Sequence, residues 1–332
     1  VLENSAAGGM ILVQVMLTGM FLLSRVALDE GQFIFALLTY RSLVAVVFVT
    51  PIAVALGDML KSVNLSALCW MFLTALSGIL ISNGLFYYGI RDSSATYGAE
   101  FDSLVPVLTF LISVLTRMEK LNLKKLPGRA KAVGVLITVG DALVFNSYKG
   151  KEIYLLSHNL LWFDTHKVNL ARAFLLLGGS CFGSVVWFMA QVKQFQVYPS
   201  KYWATVITCI LGSLLSAIIG VILDRNKAAW RLGWNMQLLN IVYSGALGTG
   251  ASFCLITWAI ATKGPNYPAI FSALSLIFTA IAEALLFHEA LTIGIIIGML
   301  MIILGLYAYI WGAATREQNL PTSCSLTKEL LM

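Results

Sequence analysis

The most constraining feature of this sequence is a repeat: residues 97–121 recur in weakened form as residues 267–291, at an offset of 170 positions. The identical pairs are Tyr97 with Tyr267, Ala99 with Ala269, Phe101 with Phe271, Leu104 with Leu274, Thr109 with Thr279, Leu115 with Leu285, Glu119 with Glu289 and Leu121 with Leu291. About five hydrophobic segments separate equivalent points, and an odd number predicts that the second copy crosses a membrane in the opposite direction. Inverted repeats of this kind are typical of secondary transporters.

The composition places this repeat in a membrane protein. Of 332 residues, 59% are hydrophobic and 11% are charged, whereas an ordinary soluble domain has about 25% charged residues. Apolar runs of bilayer-spanning length lie near residues 9–28, 33–57, 67–90, 96–117, 131–148, 171–192, 202–223, 236–262, 267–287 and 292–313. The sequence therefore predicts an all-α polytopic membrane protein, with ten transmembrane helices arranged as two inverted five-helix repeats.

The longest polar interruption, residues 149–170, is predicted to join the two halves. We expect a first half at residues 1–148, a second half at residues 171–313 and a polar cytoplasmic tail at residues 314–332. The densest group of Lys and Arg residues, at 117–131, follows an even-numbered span. Because positive loops favour the cytoplasmic side, this group predicts that both termini are cytoplasmic.

Several classes of function are disfavoured. The net charge of +6 is spread over short loops rather than a basic domain, so we expect a lipid bilayer and a small organic solute as partners and no nucleic acid. The five cysteines form no CxxC pair and His288-Glu289 lacks the second His of an HExxH motif, so no metal site is predicted. No catalytic residues, cofactor or phosphate-binding loop are predicted, so a solute or ion gradient would drive any transport. The oligomeric state is left open.

Ionisable residues inside the predicted spans are few, and each is costly in hydrocarbon unless it faces a partner or water. They are Arg41, Glu100, Asp102, Asp141 and Glu283. Two hypotheses for Arg41 stay open: it binds a substrate carboxylate, or it forms a permanent ion pair with Glu100 or Asp102. Glu100, Asp102 and Glu283 are predicted as coupling or ion-pair residues.

Uncharged polar and aromatic side chains could line a cavity for a small zwitterion. The substrate-binding residues predicted on this basis, together with Arg41, are Asn83, Tyr87, Ser103, Gln191, Trp258 and Ser272. Packing and the interfacial belt are the alternative roles for the aromatic members. Pro106 interrupts the backbone hydrogen bonds of the fourth span and is predicted to act in gating or as a kink.

Short motifs along most of the chain resemble a known family. They include Tyr40-Arg41, Phe86-Tyr87-Tyr88, Arg117-Met118-Glu119-Lys120 followed by Leu123-Lys124-Lys125, Gly264-Pro265 and Trp311-Gly312. By these motifs the chain resembles the plant nodulin-like EamA proteins, also called walls-are-thin-related or usually-multiple-acids-move-in-and-out transporters, in the drug/metabolite transporter superfamily. Ser103 stands where many relatives have Asn, and Ala273 stands where many have Pro, so selectivity could differ.

The resemblance implies facilitated and often bidirectional movement of amino acids, or of auxin in one branch. The leading hypothesis is an amino-acid carrier that works by alternating access. An auxin (indole-3-acetic acid) carrier is the first alternative, and a membrane sensor or scaffold without transport is the second. The plasma membrane is the expected location by resemblance, followed by the vacuolar membrane.

Overall fold

The computed structural model of the chain describes residues 2–55, 63–93, 95–116, 128–130, 133–134, 136–137, 140, 152–153, 170–198, 200–225, 230, 236–263, 266–272, 274–287 and 291–318. The elements of the first half are α1 (Leu2–Asp29), α2 (Ile34–Ala55), α3 (Leu65–Thr74), the π-helix π1 (Ala75–Ser82), α4 (Asn83–Arg91), α5 (Ala95–Ser103) and α6 (Val105–Leu115), and strand β1 (Glu152–Ile153) follows in the predicted inter-repeat loop. Those of the second half are α7 (Leu170–Val197), α8 (Lys201–Leu223), α9 (Met236–Tyr243), π2 (Ser244–Ala251), α10 (Ser252–Lys263), α11 (Asn266–Ser272), α12 (Leu274–Leu286), strand β2 (Leu291–Thr292) and α13 (Ile293–Gln318).

Within these residues, seven helical segments are long and apolar enough to cross a membrane. They are Ala7–Asp29, Ile34–Ala55, Leu65–Arg91, Ala171–Val197, Tyr202–Leu223, Met236–Ile260 and Tyr267–Leu286. The chain is therefore a helical, multi-pass membrane protein.

The predicted number of ten spans is not confirmed. The fourth predicted span is divided at Leu104 into α5 and α6, and the apolar part of α13, Ile293–Gly305, is a shorter helix.

The fifth predicted span, at residues 131–148, lies largely outside the described residues. So do Asp141, Glu119, Glu289, Ala273 and most of the predicted inter-repeat loop and tail. The described part of that loop departs from an all-α structure, because β1 pairs antiparallel with β2, Glu152 opposite Thr292.

The third membrane-crossing segment of each half contains a π-helix. π1 and π2 each have eight residues, and they begin at Ala75 and Ser244, which are 169 positions apart. A side chain just after each π-helix donates to the carbonyl five residues earlier: Asn83 Nδ2 to the Gly78 oxygen at 2.7 Å, and Ser252 Oγ to the Leu247 oxygen at 2.8 Å. The two halves thus repeat both this distortion and the hydrogen bond that accompanies it.

The division between α5 and α6 follows from Pro106. Proline has no N–H to donate to the residue four positions earlier, and its ring crowds that carbonyl. The carbonyl affected is that of Asp102, and the chain turns at Leu104 before α6 continues. In the second half, Pro268 lies in the first turn of α11.

The repeated sequence adopts similar local structure in both halves. The rings of Tyr97 and Phe101 lie 5.6 Å apart in the first copy, and those of Tyr267 and Phe271 lie 5.2 Å apart in the second. α1 ends in a tight turn in which Gly31 has a φ of 85° and the Gln32 N–H bonds to the Ala27 carbonyl. This turn, of the kind that glycine favours after a helix, leads directly into α2, which packs along α8 and π2.

Candidate functional site

A cavity of about 110 Å³ lies between the two halves. One buried water occupies roughly 10–15 Å³ on this scale, so the space suits several waters or a small organic solute. Its wall is formed by α1, π1, α4, α5, α6, α7, π2, α10 and α11. The aromatic lining residues are Phe21, Phe86, Trp187, Phe188 and Phe253, and the polar ones are Gln14, Ser82, Asn83, Asp102, Ser180, Ser184 and Ser272.

Equivalent residues of the two repeat copies meet at the wall of this cavity, which is where the axis of an inverted repeat is expected to lie. Ser272 Oγ donates to the Asp102 carbonyl oxygen at 3.2 Å, and these two residues are 170 positions apart. Residues that occupy equivalent positions in two copies can touch only where the copies meet at their two-fold axis. Pro106 explains the bond, because it leaves the Asp102 carbonyl without its helical donor.

Asp102 is the only ionisable residue among those found to line the cavity, and no Lys, Arg or His residue of the described chain is among them. Its carboxylate belongs to the last turn of α5, just before the break. The equivalent residue in the second half is Ser272, which has no charge. The two halves therefore present different chemistry to the same space.

Several polar atoms at the cavity wall have no hydrogen-bond partner among the described residues. They are Gln14 Oε1, Ser180 Oγ and Trp187 Nε1. By contrast, Ser82 and Ser184 bond to each other at 2.6 Å across π1 and α7. Buried polar groups are normally satisfied, so these atoms are available to bind a solute or water in the cavity.

Arg41 lies behind the wall rather than in it. Its side chain is only 1% exposed, donates to the Tyr87 hydroxyl, and has Nη1 3.7 Å from the sulfur of Met20, a residue that lines the cavity. Arg41 Nε has no hydrogen-bond partner, and no described carboxylate forms a salt bridge with this guanidinium. The alternative of a permanent pair with Glu100 or Asp102 is therefore not what the structure shows.

Tyr87 connects Arg41 to a buried polar network. Ser24 Oγ lies 3.5 Å from the Tyr87 hydroxyl and 3.1 Å from Asn240 Oδ1, and Asn240 Nδ2 donates to Gln32 Oε1 at 3.2 Å. The guanidinium also lies against the Tyr87 ring, 5.2 Å from its centre. These contacts fix Arg41 beside the cavity without neutralising its charge.

A largely buried arginine–carboxylate pair is formed by two other residues. Arg25, in the last turns of α1, pairs with Glu283 of α12. Glu283 also accepts hydrogen bonds from the backbone N–H groups of Ala95 and Thr96, at 3.1 and 2.8 Å, and from the Thr96 hydroxyl. The carboxylate thus lies at the N-terminus of α5, where the helix dipole favours a negative charge. We call this group of residues the Arg25–Glu283 latch.

Of the other residues predicted for the site, only Asn83 and Ser272 line the cavity with Asp102. Ser103 is buried and its hydroxyl bonds to the Glu100 carbonyl; Glu100 is buried on α5, Gln191 is buried on α7, and Trp258 is half-buried on α10. Sequence reasoning did not select Arg25, although a charge inside the first apolar run was a signal for it. Met20, Ser180 and Ser184 carried no such signal, because small or apolar residues are ordinary in membrane helices.

A sequence comparison identifies the family. The sequence model of the EamA-like transporter family matches residues 4–144 and again residues 170–311. The chain belongs to the EamA-like transporter family. The two matches fall on either side of the cavity, so the candidate site lies where the two EamA segments meet.

Individual relatives support the same assignment, and a solved structure has the same fold. Three WAT1-related proteins of Arabidopsis thaliana are similar over nearly their whole length: At5g64700 at 31% identity over 93% of this chain and 90% of the relative, At1g43650 at 32% over 96% and 94%, and At1g25270 at 32% over 95% and 91%. A crystal structure superposes with a TM-score of 0.63 at 17% identity, covering 90% of this chain and 97% of that one. At that identity the superposition shows a shared fold.

Proposed function

We propose that this protein is a secondary transporter that moves amino acids, in either direction, through the cavity on its repeat axis. Family membership supports membrane transport in general, and the amino-acid assignment is our own. The observation that carries it is the pairing of opposite charges at one cavity: the Asp102 carboxylate in the wall, and the buried Arg41 guanidinium one side chain behind it.

This arrangement suits a zwitterion. An α-amino acid carries an ammonium group for a carboxylate and a carboxylate for a guanidinium, which can bind it through two parallel hydrogen bonds. A cation that is buried without a charged partner is costly, so binding of a substrate carboxylate would remove that cost. Met20 lies between Arg41 and the cavity, and an unbranched, flexible side chain can move aside for a solute.

The movement that the proposal requires is alternating access. Inverted-repeat transporters expose a central site to one side at a time by rocking one half against the other. The Arg25–Glu283 latch joins α1 and α5 of the first half to α12 of the second, so it would close one end of the bundle. Breaking it would open that end.

Auxin is less well suited to this cavity. The aromatic wall could accept an indole ring, but indole-3-acetic acid has no ammonium group to neutralise Asp102, and its carboxylate would enter a cavity that already contains that negative charge. Like charges in a low-dielectric site repel strongly. The proposal therefore favours amino acids, with auxin and a role as a sensor or scaffold as alternatives for the same assay to exclude.

The test is flux into proteoliposomes that contain the purified protein, with a labelled amino-acid mixture and labelled indole-3-acetic acid measured in parallel. We expect amino-acid flux, and we expect Arg41→Ala to reduce it at least about tenfold per reconstituted molecule, the loss of one charge-assisted contact. Arg91→Ala is the matched control, because Arg91 is partly exposed at the end of α4 and stacks on Tyr88.

Each outcome of this assay has a clear meaning. Normal flux per molecule in Arg41→Ala, together with a reduced amount of folded protein, would assign Arg41 a purely structural role. Flux of indole-3-acetic acid alone would support the auxin alternative. No flux of either solute through correctly inserted protein would contradict the proposal and favour a sensor or scaffold.

A further inference from the structure

We infer that Asp102 anchors a positively charged nitrogen, so that the cavity selects solutes carrying an amine. This inference rests on the proposed transport function and specifies the chemistry of its substrate. It starts from the position of Asp102 at the end of α5, where the turn at Leu104 before Pro106 ends the helix beside the cavity. The backbone there is held by the bond from Ser272 to the Asp102 carbonyl.

The carboxylate of Asp102 has no hydrogen-bond or ion-pair partner among the described residues. A carboxylate in hydrocarbon normally pairs with a cation or faces water. No basic residue of the described chain lines the cavity with it, and the nearby Arg41 is separated by Met20 and bonded to Tyr87. A solute that enters the cavity can therefore supply the counter-charge that the described residues do not.

The rest of the wall favours the same kind of group. The faces of aromatic rings attract cations, and Trp187 packs against both Phe188 and Phe253, with ring centres 4.8 and 5.1 Å apart. Gln14 Oε1 is an unpaired acceptor for the N–H groups of an ammonium. Trp187 Nε1 is an unpaired donor, which would suit the opposite, acidic end of a zwitterion.

The experiment measures binding to the full-length protein in lipid nanodiscs by titration calorimetry. It uses two matched sets of ligands: alanine, ethylamine and propionate, and phenylalanine, phenethylamine and 3-phenylpropionate. In each set the second ligand lacks the carboxylate and the third lacks the amine. We expect the amine of at least one set to bind at least about tenfold more tightly than the corresponding acid, because only the amine can pair with Asp102.

The variant Asp102→Asn tests whether the preference for amines depends on the charge of Asp102. Asp102→Asn keeps the size of the side chain and removes its charge, and we expect it to weaken amine binding at least about tenfold and to abolish the preference for amine over acid. Asp92→Asn is the matched control, since Asp92 lies outside the cavity and pairs with the exposed Arg172. It should leave both affinities unchanged.

Two results would overturn the inference: acids that bind wild-type protein as tightly as amines, or amine binding that Asp102→Asn does not alter. The wild-type comparison stands even if the variant fails to fold. Failure of the proposed function looks different, because amine-selective binding would then occur in nanodiscs while proteoliposomes show no amino-acid flux.

Discussion

At the level of single residues, Gly78 allows Trp187 to pack closely at the wall of the cavity, because glycine has no Cβ atom. A methyl group at this position would overlap the indole of Trp187, with the Trp187 Cγ only 2.7 Å away. The ring therefore lies directly against the backbone of π1, and both residues line the cavity. A larger residue at position 78 would therefore require the Trp187 ring to move.

Gly78→Ala should consequently displace Trp187. Overpacking of this kind costs about 1–3 kcal/mol, and we expect a fall of several degrees in unfolding temperature and at least a tenfold loss of flux. Gly84→Ala serves as the matched control, because its new methyl group would lie 3.8 Å from Leu38 Cδ1, an ordinary contact. Equal effects of the two substitutions, by thermal unfolding and by flux, would show that the glycine–indole contact has no special role.

The sequence predicts the kinds of residue at this site better than their places. Ionisable side chains in apolar runs are conspicuous, so Arg41, Asp102 and Glu283 could all be selected from the sequence. Whether each meets a solute, a hydroxyl or another charge depends on helix rotation, which the chain's nearly uniform hydrophobicity does not specify. Glu283 thus proves to be part of the latch, and Arg41 lies one side chain behind the cavity wall.

At the level of secondary structure, the breaks and distortions of the helices place the polar groups. The break before Pro106 releases the Asp102 carbonyl, and the two π-helices bring Ser82, Asn83 and Gly248 to the cavity. π-helical segments are rare and often occur at functional sites. Regular α-helices along these segments would place different residues in the wall.

Pro106→Ala tests the importance of the break. Alanine restores the N–H that can bond to the Asp102 carbonyl, so α5 and α6 should join and the bond from Ser272 should be weakened. We expect flux to fall with little loss of folded protein, since alanine favours a helix more strongly than proline does. Pro51→Ala is the control: Pro51 lies inside α2 with an exposed side chain, and flux should not change. Normal flux in Pro106→Ala would mean that transport does not require the break.

The sequence predicts the break between α5 and α6, but it does not predict the two π-helices. Proline has no backbone N–H to donate, so the interruption of the fourth span at Pro106 could be predicted from the sequence. A π-helix has no comparable signal, because Ala75–Ser82 and Ser244–Ala251 are as apolar and small as many α-helices. The two π-helices begin 169 positions apart, whereas residues 97–121 and 267–291 repeat at an offset of 170. This difference could not be recognised before the two π-helices were located in the structure.

On the scale of the whole molecule, the latch links three helices from both halves. Glu283 is 1% exposed and Arg25 is 17% exposed at the side chain, so the pair is largely shielded from water. Two backbone N–H groups of α5 add to it. A rocking motion that separates α12 from α1 and α5 must break all of these contacts together.

A double-mutant cycle measures this coupling. Removing one partner of a buried pair costs about 3–5 kcal/mol, because the other charge is left unpaired. We therefore expect Arg25→Met and Glu283→Gln each to lower the unfolding temperature by several degrees, and the double variant to recover part of the loss. The pair of Asp92 with Arg172 is the control, and its expected effect is smaller because the Arg172 side chain is 56% exposed to solvent. Strictly additive effects of Arg25→Met and Glu283→Gln would contradict an energetic link between them.

The position of Asp102 and Ser272 on the repeat axis has one more consequence. If the same residue occupied both positions, a solute in the cavity could bind in two equivalent poses related by a half-turn. Asp102 and Ser272 differ in charge, so the two poses differ in energy and the solute binds in one preferred orientation. Duplication within one chain makes this possible, because each copy can then change independently of the other.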